Sequence, residues 1–232
     1  MLKATYINPE TLNAIHAGNI PHGNLLLVGN DKTGKRGKFG RMFRTRGLPV
    51  HDCNWKTSAC ASACYAIKPV LWNVDKGIDV GQEYSFLAHH DPCALYDRLH
   101  AEIAIAVAKH GTIVVRIHEA GDFVSRMHVH VYTWLASAFP TVTFYGYSRA
   151  FVDPTMAQAL NELNAMPNVV VRESTDNDRH VGTGHAPEAF FGNKDLEPKR
   201  AFRCIEQLNG TKCIDCGLCW TQSKLAVVFK KH

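Results

Sequence analysis

Long apolar runs are missing from this 232-residue chain. No stretch reaches the roughly 18 residues that a membrane helix needs, which excludes a helical membrane span. The opening Met1–Tyr6 lacks the continuous apolar core of a secretion signal, and this predicts a cytoplasmic protein. Internal repeats and low-complexity tracts are also absent. Composition is otherwise ordinary, with 46% apolar and 20% charged residues, and the length suits a single domain over 1–232 with one sizeable core.

Cysteine is not scarce. There are eight, and seven fall into two groups. In a reducing compartment such groups point to metal or redox chemistry instead of a disulfide framework. The C-terminal group is Cys204, Cys213, Cys216 and Cys219. Zinc ribbons use two separated Cys-x2-Cys pairs, whereas consecutive x2 gaps are how ferredoxin-type loops hold a cubane cluster. The spacing therefore predicts a 4Fe–4S cluster, with zinc as the alternative. Cys53, Cys60 and Cys64 form the other group, which has no adjacent fourth thiol. Either a distant residue completes that shell, or one iron stays open, or both groups share one cluster. Radical S-adenosylmethionine enzymes also use three cysteines, but with gaps of three and two, where this chain has six and three. The eighth cysteine, Cys93, reads as a half-buried core thiol.

Positive charge is concentrated. Residues 31–46 carry +6 of a net +5, so the remainder sums to −1. Within this basic loop, 29–48, Lys32, Lys35, Arg36 and Lys38 are candidates for phosphate or nucleic-acid contact. Gly29–Arg36 nearly matches a phosphate-binding loop, but Arg36 stands where magnesium needs Ser or Thr, and nucleotide hydrolysis is rejected.

The segment 79–173 alternates clearly. Helices are predicted at about 58–72, 81–89, 92–109, 125–138 and 154–166. Strands are predicted at 25–28, 112–117, 142–147 and 169–171. The stretch 174–203 shows no period and reads as a lid or part of a site. Strand–helix alternation predicts an α/β fold with a mainly parallel sheet, possible closure into an incomplete TIM-like barrel, and cysteine-rich loops near both ends. In such folds sites gather at the carboxyl ends of strands. Here those ends carry His118, Glu119 and Asp122, then Ser148 and Arg149, which are taken as pocket residues. His128 and His130 read as ordinary histidines.

The order Gly29-Asn30-x-Lys32-Thr33-Gly34, then Cys64-Tyr65-Ala66, resembles the actinobacteriophage "gene product 88" family. Arg116-x-His118-x-x-Gly121-Asp122-Phe123, Trp134, Pro140, Phe144-Tyr145-x-Tyr147-Ser148-Arg149 and the cysteine-rich end are similar too. The resemblance spans most of 25–220, with Asn54 where the family pattern expects Pro. It implies a phage-encoded protein of the host cytoplasm, without choosing an activity. The expectation is an iron–sulfur protein of redox or electron-transfer type with a redox or host-protein partner and no membrane. The alternatives are a cluster enzyme with an open iron and a zinc- or cluster-stapled binding module.

Overall fold

Local chemistry sets the helix boundaries. Asp91 accepts from the Ala94 N–H at 3.0 Å and Pro92 occupies the first turn, so α3 runs Pro92–His110, ending at Gly111 with φ 70°. Ser125 caps α4, Arg126–Ala138, and Asp153 with Pro154 starts α5, Pro154–Asn164. A computed structural model describes residues 25–29, 36–49, 52–64, 74–179, 181–221 and 224–230. The helix predicted at 81–89 extends over Val74–His90 as α2, and the one predicted from 58 is a single short turn, α1, Ser58–Ser62. Residues 65–72 of that longer prediction lie outside the described residues.

The strands are β1 Leu27–Val28, β2 Arg36–Gly37, β3 Gly40–Thr45, β4 Ile113–Arg116, β5 Thr143–Ser148, β6 Val169–Asp176, β7 Glu188–Phe191, β8 Ala201–Arg203 and β9 Ala226–Phe229. They form one mixed sheet in the order β1-β3-β4-β5-β6-β7-β9-β8, with β2 paired to β3. Every neighbour from β3 to β8 is parallel, and only β1 and β2 are antiparallel. Among the described residues the strand path is linear and does not close into a ring. Three readings from sequence need correction. The basic loop 29–48 contains a hairpin whose second strand, β3, belongs to the sheet. The supposedly aperiodic stretch 174–203 supplies β7 and β8. Cys93 is exposed, not half-buried.

Successive side chains of a strand point to opposite faces. On one face Ile113, Val115, Ile117, Phe144, Val169 and Val171 pack against α2–α5 in the main core, with Leu95, Leu99 and Ile103 of α3 fully buried. Burying each such side chain contributes about 1.5–3 kcal/mol. On the other face Met42, Val114, Tyr145 and Val170 pack with Ile214 and Trp220 of the C-terminal segment. The helices thus cover one face, and the cysteine-bearing segments cover the other. Among the described residues no helix is long and apolar enough to cross a membrane.

Candidate functional site

The face opposite the helices holds a cavity of about 320 Å³. Alternate residues make its floor: Met42 and Arg44 of β3, Arg116 of β4, Tyr145 and Tyr147 of β5, Ser174 of β6, Ala189 and Phe191 of β7. His118, Glu119, Asp122 and Arg149 line it from just beyond the strand ends. Ser148 lies beneath, holding Asp122 at 2.7 Å. Six of the seven grouped cysteines also line this cavity: Cys53, Cys60 and Cys64 from one group, and Cys204, Cys213 and Cys219 from the other. Cys216 lies in the small adjoining pocket with Cys204, Cys213 and Cys219.

Each cysteine segment is fastened by contacts distant in sequence. Thr57 caps α1, accepting from the Cys60 N–H at 3.0 Å, while its hydroxyl donates to Asp176 at the end of β6. The Ala59 N–H donates to Asp178 at 2.7 Å. Asp176 in turn pairs with Arg149 at 2.8 Å, with both side chains buried. At the other end Cys204 follows β8, and its N–H donates to the Val228 carbonyl at 2.9 Å. The turn α6, Cys213–Cys216, packs on the β2–β3 hairpin through Lys38 N–H to Asp215 at 2.9 Å and Phe39 N–H to Ile214 O at 3.3 Å. Arg172, inside β6 and 0% exposed, holds the intervening loop by donating to the carbonyls of Leu218, Cys219 and Leu225 at 2.9–3.2 Å.

Burial governs the electrostatics. It pushes Cys53 up to about 12, helped by Asp122 and the neighbouring Cys60 and Cys64 thiols. Cys213 rises to about 11 by burial, with Cys219 and Cys204 adding to it. Cys60, Cys204 and Cys219 are also raised by burial, opposed at Cys60 by Arg149 and at Cys219 by the Tyr147 hydroxyl and Arg172. Without a metal these thiols are protonated at neutral pH. Asp122 is raised by burial even though Ser148 and the N–H groups of Arg149 and Phe123 donate to it. As the side chains stand, no group of three or more His, Cys, Asp or Glu among the described residues could hold a metal ion.

Two features escaped the sequence reading. The first is the row of inward arginines, Arg44, Arg116 and Arg172, at alternating positions of three strands. Arg44 and Arg116 are register partners on adjacent strands. Like charges so placed repel, and Glu119 offsets this by pairing with Arg44. The period-two spacing was the available signal. The second is His128, which is fully buried and bonded to His118. His118 itself has φ 52°, in the left-handed region, where His, like Asn and Asp, is found more often than other residues with a Cβ. The exposed Arg36 and Lys38 do not line the cavity, and Lys32 and Lys35 lie outside the described residues.

A family model described as Gene product 88 matches residues 24–222, and the chain belongs to that family. No curated protein and no solved structure matches it.

Proposed function

We propose that this chain is an iron–sulfur protein that binds a small ligand in the cavity between its two cysteine groups. The observation that carries the reading is the convergence of both groups, far apart in sequence, on one cavity. Cys204, Cys213, Cys216 and Cys219 would hold one 4Fe–4S cluster. Cys53, Cys60 and Cys64 would hold a second, with one iron lacking a cysteine from this group.

The donor set and its surroundings suit such groups. Thiolates are the soft ligands that iron–sulfur clusters take. A cubane bound by thiolates is anionic, and each cysteine group has a buried guanidinium beside it: Arg149 at Cys60 and Arg172 at Cys219. Arg172 has no carboxylate partner among the described residues. A buried cation without a counter-charge is costly, and thiolates beside it would supply that charge. Metal binding must displace the protons that burial holds on these thiols, and some side-chain rearrangement accompanies it.

When bound, such a cluster supplies one-electron transfer, or Lewis acidity where an iron is open. The protein's own residues would orient the ligand and exclude water from it. A cavity of this size is near the lower end for small-molecule sites. An electron carrier needs no such cavity, which favours the enzyme reading over pure electron transfer.

The test is anaerobic purification, with iron, sulfide and zinc measured per chain beside the visible spectrum. A brown protein with about eight irons supports two clusters, and about four supports one shared or C-terminal cluster. A colourless protein with one or two zincs would sink the proposal and leave a stapled binding module. A change in the cluster's magnetic resonance spectrum on adding S-adenosylmethionine would identify radical chemistry.

A further inference from the structure

The sheet divides the run of positive charge at 31–46. Arg44 faces the cavity and pairs with Glu119. Arg46 donates to the Leu25 carbonyl at 3.3 Å. Arg36 and Arg41 go elsewhere. They are register partners across the β2–β3 hairpin, so their side chains leave one face of it with Cβ atoms about 5 Å apart. Side chains alternate along β3, which puts Arg41 on the face opposite Met42 and Arg44, at the amino end of the strand. There its guanidinium lies 5.6 Å from the centre of the Phe43 ring, and Phe43 meets His110, the last residue of α3, at 5.6 Å between centroids. Lys109 precedes His110 and is exposed, as is Arg36.

Nothing local balances these cations. His110 is lowered from its ordinary value by desolvation and then by Arg41, Lys109 and Arg36, so the charges acting on that ring are all positive. Among the described residues none of the three forms an ion pair. The acid packed on the hairpin is Asp215, which accepts from the Lys38 N–H. A Cβ on Gly37 would strike its carboxylate, so Asp215 lies on the Gly37 side of β2 and Arg36 points to the other. Like charges directly opposite each other destabilise a strand pair, and an external anion relieves that repulsion.

The shape of the surface narrows the anion. Small-molecule sites are concave, and Arg36, Arg41 and Lys109 line neither cavity. Guanidinium forks match phosphate oxygens, and a polynucleotide offers a row of phosphates to several cations at once. Phe43 packs on His110 and on the main core, so it gives unstacked bases no free platform. This favours a duplex held by its backbone.

We propose that Arg36, Arg41 and Lys109 form a docking patch for the phosphate backbone of double-stranded nucleic acid, without sequence preference. The patch lies outside the cavity, so the inference goes beyond the cluster reading and stands whether or not iron is bound.

The experiment uses the full chain, purified anaerobically, and the fluorescence anisotropy of a short labelled DNA duplex of mixed sequence. Three phosphate contacts give a slope of about −2.7 in log K against log salt, so affinity should fall at least about fortyfold between about 50 and 200 mM salt. Arg36→Gln and Arg41→Gln should each flatten the slope by about 0.9. Lys199→Gln, an equal change of charge just before β8 at the opposite edge of the sheet, should leave it unchanged. Four results would each overturn the inference: no duplex binding at low salt, equal slopes in all variants, a single strand bound more tightly than the duplex, or polyglutamate displacing the duplex at equal charge. The last would assign the patch to an acidic protein. Because it relieves repulsion, Arg36→Gln should keep the wild-type Tm or exceed it. The wild-type slope and the polyglutamate competition decide the matter if a variant does not fold.

Discussion

Arg172 concentrates the electrostatic question in one side chain. Its three hydrogen bonds all go to neutral carbonyls, and its burial lowers its pKa against the opposing pull of Cys219 and Tyr147. A position that only needed to hold a loop could use a neutral donor. A guanidinium there makes sense beside anionic sulfur, because a buried charge is tolerated when it is both paired and hydrogen-bonded. We therefore expect Arg172→Met to reduce iron from about eight to about four per chain by emptying the C-terminal group, on cubane stoichiometry. Iron analysis checks this, and an unchanged iron content would mean that Arg172 acts only through the three carbonyls. Those carbonyls should be felt separately. Leaving them unmet should lower the stability of chelator-stripped protein by about 1–3 kcal/mol each at most, read by urea unfolding.

At the scale of elements, the cysteine groups depend on supports they do not contain. α1 has five residues, too few to be stable alone, and it is docked by Asp176 and Asp178 across 119 positions of sequence. Asp176→Asn should weaken that docking and break the buried pair with Arg149, lowering stability by about 3–5 kcal/mol and stripping iron from the Cys53 group first. Iron analysis beside urea unfolding reads both effects. A control lies in α3, where Arg98 bridges buried Glu83 and Glu102 at 2.7 and 2.9 Å, and Glu102 accepts from the N–H groups of Leu26 and Leu27. Arg98→Met should destabilise by a similar amount without changing the iron bound per folded chain, since α3 packs on the sheet face opposite the C-terminal cysteine segment. This contrast shows what was legible in the sequence. Caps at Asp91, Ser125 and Asp153 are written within a few residues, so α3, α4 and α5 were readable almost to the residue. β3 was missed because Arg41 and Arg44 break its apolar alternation, and β8 because three residues carry too little pattern. Of the five strand-end residues taken from topology, His118, Glu119, Asp122 and Arg149 line the cavity and Ser148 does not. The cysteine groupings were legible from spacing, but nothing local in sequence says that both groups face one cavity or that Asp176 anchors one of them.

Across the whole molecule, the site sets a pH window that the metal-free protein should reveal. Burial lowers His118 from 6.5 to about 3, so the folded state resists its protonation. The stability that depends on neutral His118 is present above pH 6.5 and is lost as pH falls towards 3. Burial raises Cys53 from 9.0 to about 12, so the folded state resists losing that proton. That contribution is intact below pH 9 and is lost as pH rises towards 12. Chelator-stripped, reduced protein should therefore be most stable between about pH 6.5 and 9. Each flank should fall by up to several kcal/mol, since a tenfold change in proton affinity is worth about 1.4 kcal/mol. Urea unfolding across pH measures it. The loaded protein should differ on both flanks: sulfur bound to metal has already lost its proton, so the alkaline decline should flatten, while protons competing with metal for the thiolates should steepen the acid one. If loading leaves the alkaline flank unchanged, Cys53 is not a ligand, and the three-cysteine group must be read as a structural part of the cavity wall.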